Sequence, residues 1–236
     1  APASGRQVWT LIDMFPGRLG MTVIGENGGI VMRDGVEVSS SPLDAPTMRE
    51  AVRLVREATS GPDGIDGGLV MCGKQFAYVE RTDDRFVEGV MPYYHRTKRI
   101  DDQIAIIDAI EAGEIDDAIV KLAVYVIGQV QALAEATLAN FADTHQYAIS
   151  GANWADLQIR GVDKGSAVRD LQRFLGVDRS QTAVFGDAGN DLSMMSEGDL
   201  SFAMANASAD VIEAARFVAP SNNEAGVAQV LRVLLG

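Results

Sequence analysis

Apolar positions in the last third of the chain change period in a regular order. Residues 155–160, ADLQIR, read as a strand. The next stretch, KGSAVRDLQRFLG, puts Ala167, Val168, Leu171, Phe174 and Leu175 on one helical face that stops at Gly176. TAVF at 182–185 is a short buried strand, NDLSMMSEG a helical turn or two, and LSFAMA a further strand. SADVIEAARF and NNEAGVAQVLRVLLG then predict two closing helices. Repeated strand–helix units imply a parallel sheet covered on both faces, a doubly wound α/β core whose sites lie beyond the carboxyl ends of its strands.

The first residues follow the same logic. APASGR reads as a loop opening a helix whose apolar face is Gln7, Val8, Leu11, Ile12 and Phe15. The strand MTVIGEN, the turn NGG and a hairpin with Asp34-Gly35 at its tip come next. In a doubly wound sheet such a helix is fed by a strand, and none precedes it in these residues, so the expectation is a chain that starts halfway through a unit.

The middle has another texture. DAPTMREAVRLVREATS predicts an amphipathic helix, GPDGIDGG a breaker-rich loop, and LVMC and FAYVE two strands about a tight turn at Gly73-Lys74. Beyond a polar stretch come the strand IVKLAVYVI, the helix VQALAEATLANFA and the strands HQYAIS and ADLQI. That order predicts a sheet with helices on one face, an α+β domain at 43–154 inserted into a core made of 1–42 and 155–236. The stripe Val130, Leu133, Ala134 and Leu138 reads as core.

Charge narrows the partners. With 33 acidic against 20 basic residues the formal net charge is -13, which argues against nucleic acid or an anionic membrane surface. Any anionic substrate then needs a local cluster of positive charge. The single cysteine, Cys72, excludes an intramolecular disulfide or a multi-cysteine zinc site and reads as a core residue. With no secretory signal or membrane span in the residues, a reducing, cytoplasmic setting is the expectation. Neither a P-loop nor a Gly-x-Ser-x-Gly elbow occurs, and with two histidines, His95 and His145, a serine triad is not expected. MPYYHRTKR, 91–99, is a basic and aromatic cluster that reads as a solvated loop with ordinary packing, the alternative being contact with a substrate's sugar or phosphate.

Three short stretches carry chemistry. In VFGDAGNDLSMM, Asp187 falls where a strand ends, while Asn190 and Asp191 open the next helix. Hard oxygen donors in that position suit Mg²⁺, although an ordinary loop with a helix-opening acid has the same pattern. Lys164, in GVDKGSAV, stands at a predicted helix start, where a cation opposes the helix dipole and an anionic ligand would offset the cost. Ser4-Gly5 offers a hydroxyl and free amides at another helix start, either a plain N-cap or a phosphate seat.

Taken together and in this order, PASGR, DKG and GDAGNDLSMM resemble the second, third and fourth motifs of the haloacid dehalogenase-like (HAD) phosphohydrolase superfamily. ENGG and the tail AMANASADVIEAARFVAPSNNEAGVAQVL are similar to its Cof-type branch, whose type II cap the inserted segment resembles. The resemblance implies a Rossmann-like core with a mobile cap and a Mg²⁺-dependent phosphatase of small phosphorylated metabolites. On this resemblance Asp187 binds the metal, Asp191 supports the site or fixes Lys164, and Ser4, the Gly5 amide, Lys164 and Asn190 hold the phosphoryl oxygens. The phosphoryl group passes to an aspartate and is then hydrolysed off.

The family's first motif, Asp-x-Asp-Gly-Thr, occurs nowhere in these residues. The aspartate pairs in RTDDRF, RIDDQ and EIDDA have the wrong spacing and lie in the inserted segment. The expectation is therefore a nucleophile upstream of residue 1. The alternatives are a noncatalytic phosphate-ligand binder or regulatory remnant of the same fold, and a phosphomutase.

Overall fold

The computed structural model describes all 236 residues, Ala1–Gly236. They form two compact units, Ala1–Val162 and Asp163–Gly236.

In the first unit α1 (Val8–Met14) buries Val8 and Leu11 against the antiparallel sheet β1 (Thr22–Gly25), β2 (Ile30–Arg33) and β3 (Val36–Ser40). Ala3 joins β1 at Ile24 in parallel sense, so the first residues run beside the sheet instead of opening the helix. This corrects one expectation. Helix α1 starts at Val8 with Gln7 as its N-cap, and Ser4 lies in the loop before it.

Helix α2 (Ala45–Thr59) is capped by Asp44, whose carboxylate accepts the Thr47 amide at 2.8 Å. It covers one face of a six-stranded sheet built from β4 (Gly67–Gly73), β5 (Ala77–Val79), β6 (Thr97–Arg99), β7 (Ile119–Val126), β8 (His145–Ile149) and β9 (Trp154–Ile159). The spatial order is β6-β5-β4-β7-β9-β8, antiparallel except for β5 beside β6. Between these strands the chain also forms α3 (Asp84–Val90), α4 (Gln103–Glu111) and α5 (Gln131–Ala136).

Helices α3 and α4 fill part of the stretch whose sequence reads only as polar. Their caps explain two of the aspartate pairs: Asp83 accepts the Phe86 amide and Asp102 the Ile104 amide. In the third pair, Asp117 takes the amides of Gln75 and Phe76 and the Tyr78 hydroxyl. In each pair one aspartate has a structural role.

Strand alternation divides the six-stranded sheet into two faces. Leu122, Val124, Ala155 and Leu157 join the core beneath α2, while Val70, Cys72, Ala123 and Trp154 pack with Phe86 and Tyr94 on the opposite side. By the same alternation Lys121 and Asp156 share that second face, and β7 pairs Ala123 with Asp156 and Leu122 with Leu157.

The second unit runs α6 (Lys164–Leu175), β10 (Ala183–Gly186), α7 (Leu192–Met195), β11 (Leu200–Met204), α8 (Ala209–Ala214), β12 (Phe217–Ala219) and α9 (Gly226–Leu235). Its sheet, β10-β11-β12, is parallel throughout, as the alternating pattern predicts. Phe185, Phe202 and Phe217 stack across it with centroids 4.9 and 5.2 Å apart. The apolar face expected on α6 is buried only at its start: Ala167 and Val168 are covered, whereas Phe174 is 58% exposed. Strand β9 belongs to the first unit, and the units divide between Val162 and Asp163; the core segments 1–42 and 155–236 around a cap at 43–154 remain a proposal about domain organisation. No helix is long and apolar enough to cross a membrane.

Candidate active site

In the second unit a reciprocal cap sets the start of α6. The Asp163 carboxylate accepts the Ser166 amide at 2.7 Å, and the Asp163 amide donates to the Ser166 hydroxyl at 3.0 Å. Lys164 is thereby the first helical residue, as its position in DKG predicts. Its side chain is only 5% exposed, and its ammonium donates to Asp191 Oδ1 at 2.6 Å. A cation buried at a helix start is costly, and a short charge-assisted hydrogen bond offsets that cost.

The other oxygen of Asp191 is engaged as well. Oδ2 accepts the backbone amides of Asp187 and Ala188 at 3.0 and 3.2 Å. One carboxylate therefore pins both the lysine and the loop that leaves β10. Gly186 is required by this approach, since a Cβ there would lie 2.5 Å from the Cβ of Asp191. Gly165 serves the same end on α6: its amide donates to Ser193 Oγ at 3.0 Å, and a Cβ would run into the Ser193 carbonyl.

Asp187 sits half-buried just past the end of β10, and its own carbonyl accepts the Ser208 amide at 3.0 Å. Its carboxylate has no hydrogen bond or ion pair inside the unit, which leaves it available to a ligand. Asn190 lies on the exposed outer part of the same loop. No cluster of three or more His, Cys, Asp or Glu side chains forms a ready-made metal cage. Mg²⁺ does not require one, because it binds through one or two carboxylates, waters and a substrate phosphate. Asp187 fits that role. Asp191, with both oxygens committed to the protein, fits a supporting one.

In the first unit Ser4 and Gly5 form a loop zipped to the turn at Glu26-Asn27. The Ser4 amide donates to Ile24 O, the Asn27 amide to Ser4 O and the Glu26 amide to Arg6 O, all within 3.0 Å. The Ser4 hydroxyl accepts the Arg6 amide at 3.2 Å. A Cβ on Gly5 would stand 3.0 Å from Asn27 Oδ1, so the loop and the turn meet where a side chain has little room. Glu26 and Asn27 both have left-handed backbones, with φ of 51° and 52°.

Beneath this loop lies a group of charges that sequence reasoning missed. Lys121, 1% exposed, contacts Gly5 O at 2.8 Å, Glu26 Oε2 at 2.7 Å and Asp156 Oδ1 at 3.7 Å. Burial pushes the Glu26 carboxyl above its ordinary range against the pull of Lys121. Burial alone would lower Lys121; Asp156 and Glu26 outweigh it and raise the ammonium well above its usual value. One sign was present in the sequence, a lone charge inside the apolar strand IVKLAVYV.

The basic and aromatic segment 91–99 is largely exposed, with Tyr94 buried, and its contacts are with the protein itself. Tyr93 O accepts the Gln7 amide and the Thr10 hydroxyl, His95 Nδ1 meets Asp13 at 2.9 Å, and Arg96 lies 3.5 Å over the Trp9 ring. Cys72 is fully buried, and burial raises its thiol further, consistent with a core residue.

Residues 2–231 match the haloacid dehalogenase-like hydrolase family, to which the chain belongs. It is a phosphoric monoester hydrolase. Among curated relatives it is 34% identical over 240 residues to the 5-amino-6-(5-phospho-D-ribitylamino)uracil phosphatase YbjI of Escherichia coli, covering 99% of this chain and 82% of that one. Among solved structures it is similar to a haloacid dehalogenase-like hydrolase from Bacteroides thetaiotaomicron, with a TM-score of 0.77, 19% identity, and coverage of 98% and 85%. It is also similar in fold to the HAD subclass IIB sugar phosphatase BT4131, with a TM-score of 0.65, 16% identity, and coverage of 90% and 75%.

Proposed function

We propose that the protein is a Mg²⁺-dependent phosphatase of a small phosphorylated metabolite, acting through an aspartyl-phosphate. The observation that carries this reading is the Asp191 carboxylate, which binds the Lys164 ammonium through one oxygen and the Asp187 loop through the other. Asp187 would hold the metal, and bound Mg²⁺ would neutralise charge on the transferring phosphoryl oxygens. Lys164 and Asn190 would hold those oxygens in the second unit, and Ser4 and the Gly5 amide, in the first, are the further phosphoryl-binding groups that the family resemblance implies. The phosphoryl group leaves the substrate's ester oxygen for an aspartate carboxylate, the alcohol departs with a proton, and water then releases inorganic phosphate. Residues 1–236 contain no Asp-x-Asp-Gly-Thr, and none of their aspartates is assigned that accepting role.

A sugar or polyol phosphate is the substrate class we favour, because the E. coli relative is named for a phosphoribityl compound and a fold neighbour for sugar phosphates. The noncatalytic alternative has no observation in its favour. The test is release of phosphate by the full-length protein from a panel including 5-amino-6-(5-phospho-D-ribitylamino)uracil and hexose phosphates, with Mg²⁺ and with chelator. Turnover that chelation abolishes is expected. Turnover unaffected by chelation would remove the metal role, and none on any ester would overturn the reading.

A further inference from the structure

We propose that Lys121 is a positioning residue for the phosphate seat, holding the Ser4–Arg6 loop through its hydrogen bond to the Gly5 carbonyl. This rests on the reading of Ser4 and Gly5 as phosphoryl-binding groups. Lys121 comes from β7, in the middle of the six-stranded sheet, and its 2.8 Å contact with Gly5 O spans 116 positions of sequence.

Two features separate this role from plain stabilisation. First, the cluster is poorly satisfied as a structural device. It holds two acids for one lysine, and Glu26 Oε1, Glu26 Oε2 and Asp156 Oδ1 are buried without a hydrogen bond, although Oε2 lies within ion-pair distance of Lys121. A sheet face selected only for stability would do better with apolar side chains.

Second, its polar links lead to the loop and turn around Gly5. Lys121 reaches Gly5, the Asn27 carboxamide donates to Asp156 Oδ2 at 3.0 Å, and the Gln158 carboxamide donates to Glu26 O at 2.7 Å. These bonds brace Glu26 and Asn27 in left-handed conformations that non-glycine residues keep only when their surroundings over-determine them. With the Gly5 carbonyl tied inward to Lys121 and the Ser4 and Arg6 amides engaged within the protein, the loop on both sides of Gly5 is fixed, which sets the direction of the Gly5 amide.

The experiment uses the full-length protein and compares Lys121→Met with the double variant Lys121→Met/Glu26→Gln, which removes one charge of each sign. Thermal midpoint, KM, kcat and the inhibition constant of inorganic phosphate are measured for each. Lys121→Met should lower the midpoint and weaken phosphate inhibition about tenfold, the worth of one charge-assisted hydrogen bond. The double variant should regain part of the midpoint, since only Asp156 is then left without the lysine, yet keep the weakened phosphate inhibition and a raised KM. A double variant that folds and binds phosphate like the parent would overturn the proposal, because Lys121 would then only balance charge. Parent protein that neither turns over esters nor binds phosphate would overturn the functional reading itself, a result distinct from normal binding in the variant.

Discussion

Asp191 and Lys164 meet at 2.6 Å, 27 residues apart in sequence, and the oxygen of Asp191 not used by the lysine carries the two amides that open the Asp187 loop. The pair therefore joins α6 to the end of β10 through a single side chain. Removing the charge of either partner strands the other in a buried site.

Asp191→Asn should accordingly cost about 3–5 kcal/mol in urea unfolding, the usual penalty for leaving a buried charge unpaired. Lys164→Met/Asp191→Asn should recover most of that loss, since no charge is then stranded. Both proteins should be inactive. An Asp191→Asn variant as stable as the parent would show that the ion pair is not desolvated as the geometry implies.

Asp187→Asn should behave in the opposite way. Its carboxylate supports no bond within the unit, so unfolding free energy should stay within about 0.5 kcal/mol of the parent. Phosphate release should fall by roughly a hundredfold or more if the residue holds a charge-neutralising metal, and calorimetric Mg²⁺ binding should weaken with it. Loss of stability without loss of Mg²⁺ binding would reassign Asp187 to the scaffold.

Gly165→Ala tests the approach of α6 to α7. The added methyl would meet the Ser193 carbonyl, which is backbone and cannot swing aside. A destabilisation of about 1–3 kcal/mol is expected, as for overpacked sites in general. Because the residue follows Lys164, kcat should fall as well. Wild-type kcat in a folded Gly165→Ala variant would mean that the approach is not needed to place the lysine.

Glu26 supplies a pH signature. Its folded pKa lies above the ordinary 4.5, so from about pH 4.5 upward to that raised value the folded state binds more protons than the unfolded chain. The contribution of this group to stability is then fully present below 4.5 and declines as pH rises through the window. Glu26→Gln should lack the decline, so its stability relative to the parent should grow with pH across the window, at a limiting slope of about 1.4 kcal/mol per pH unit. Urea midpoints measured at successive pH values decide this; parallel curves for the two proteins would show that Glu26 titrates normally.

Local pattern was enough for much of the molecule. The change from period-two to helical spacing located the parallel strands and helices of the second unit, and the motif around Asp187 lies within one loop and the helix after it, so its residues were adjacent before folding. Lys164 was legible for a similar reason, as the first residue of a helix whose Asp163 cap precedes it. The helices α3 and α4 were not, because their aspartate pairs looked merely polar and only the Asp83 and Asp102 cap geometry shows what they do.

Folding alone settled the rest. Strand alternation and pairing bring Lys121 and Asp156 to one sheet face, and the strand partnership of Ala3 with Ile24 lays Gly5 beside them. The placement of Ser4 before α1, rather than at its cap, follows from that same partnership. Fold class and the place of Lys164 at a helix start could be read from the order of residues, because the local periodicity and the Asp163 cap involve neighbours a few positions away. The link of Lys164 to Asp191 was offered only by the family resemblance, as one of two roles for Asp191, and the joining of Lys121 to Gly5 and Glu26 by nothing in the sequence, since both arise when burial makes unpaired charge too costly and dictates which distant groups must meet.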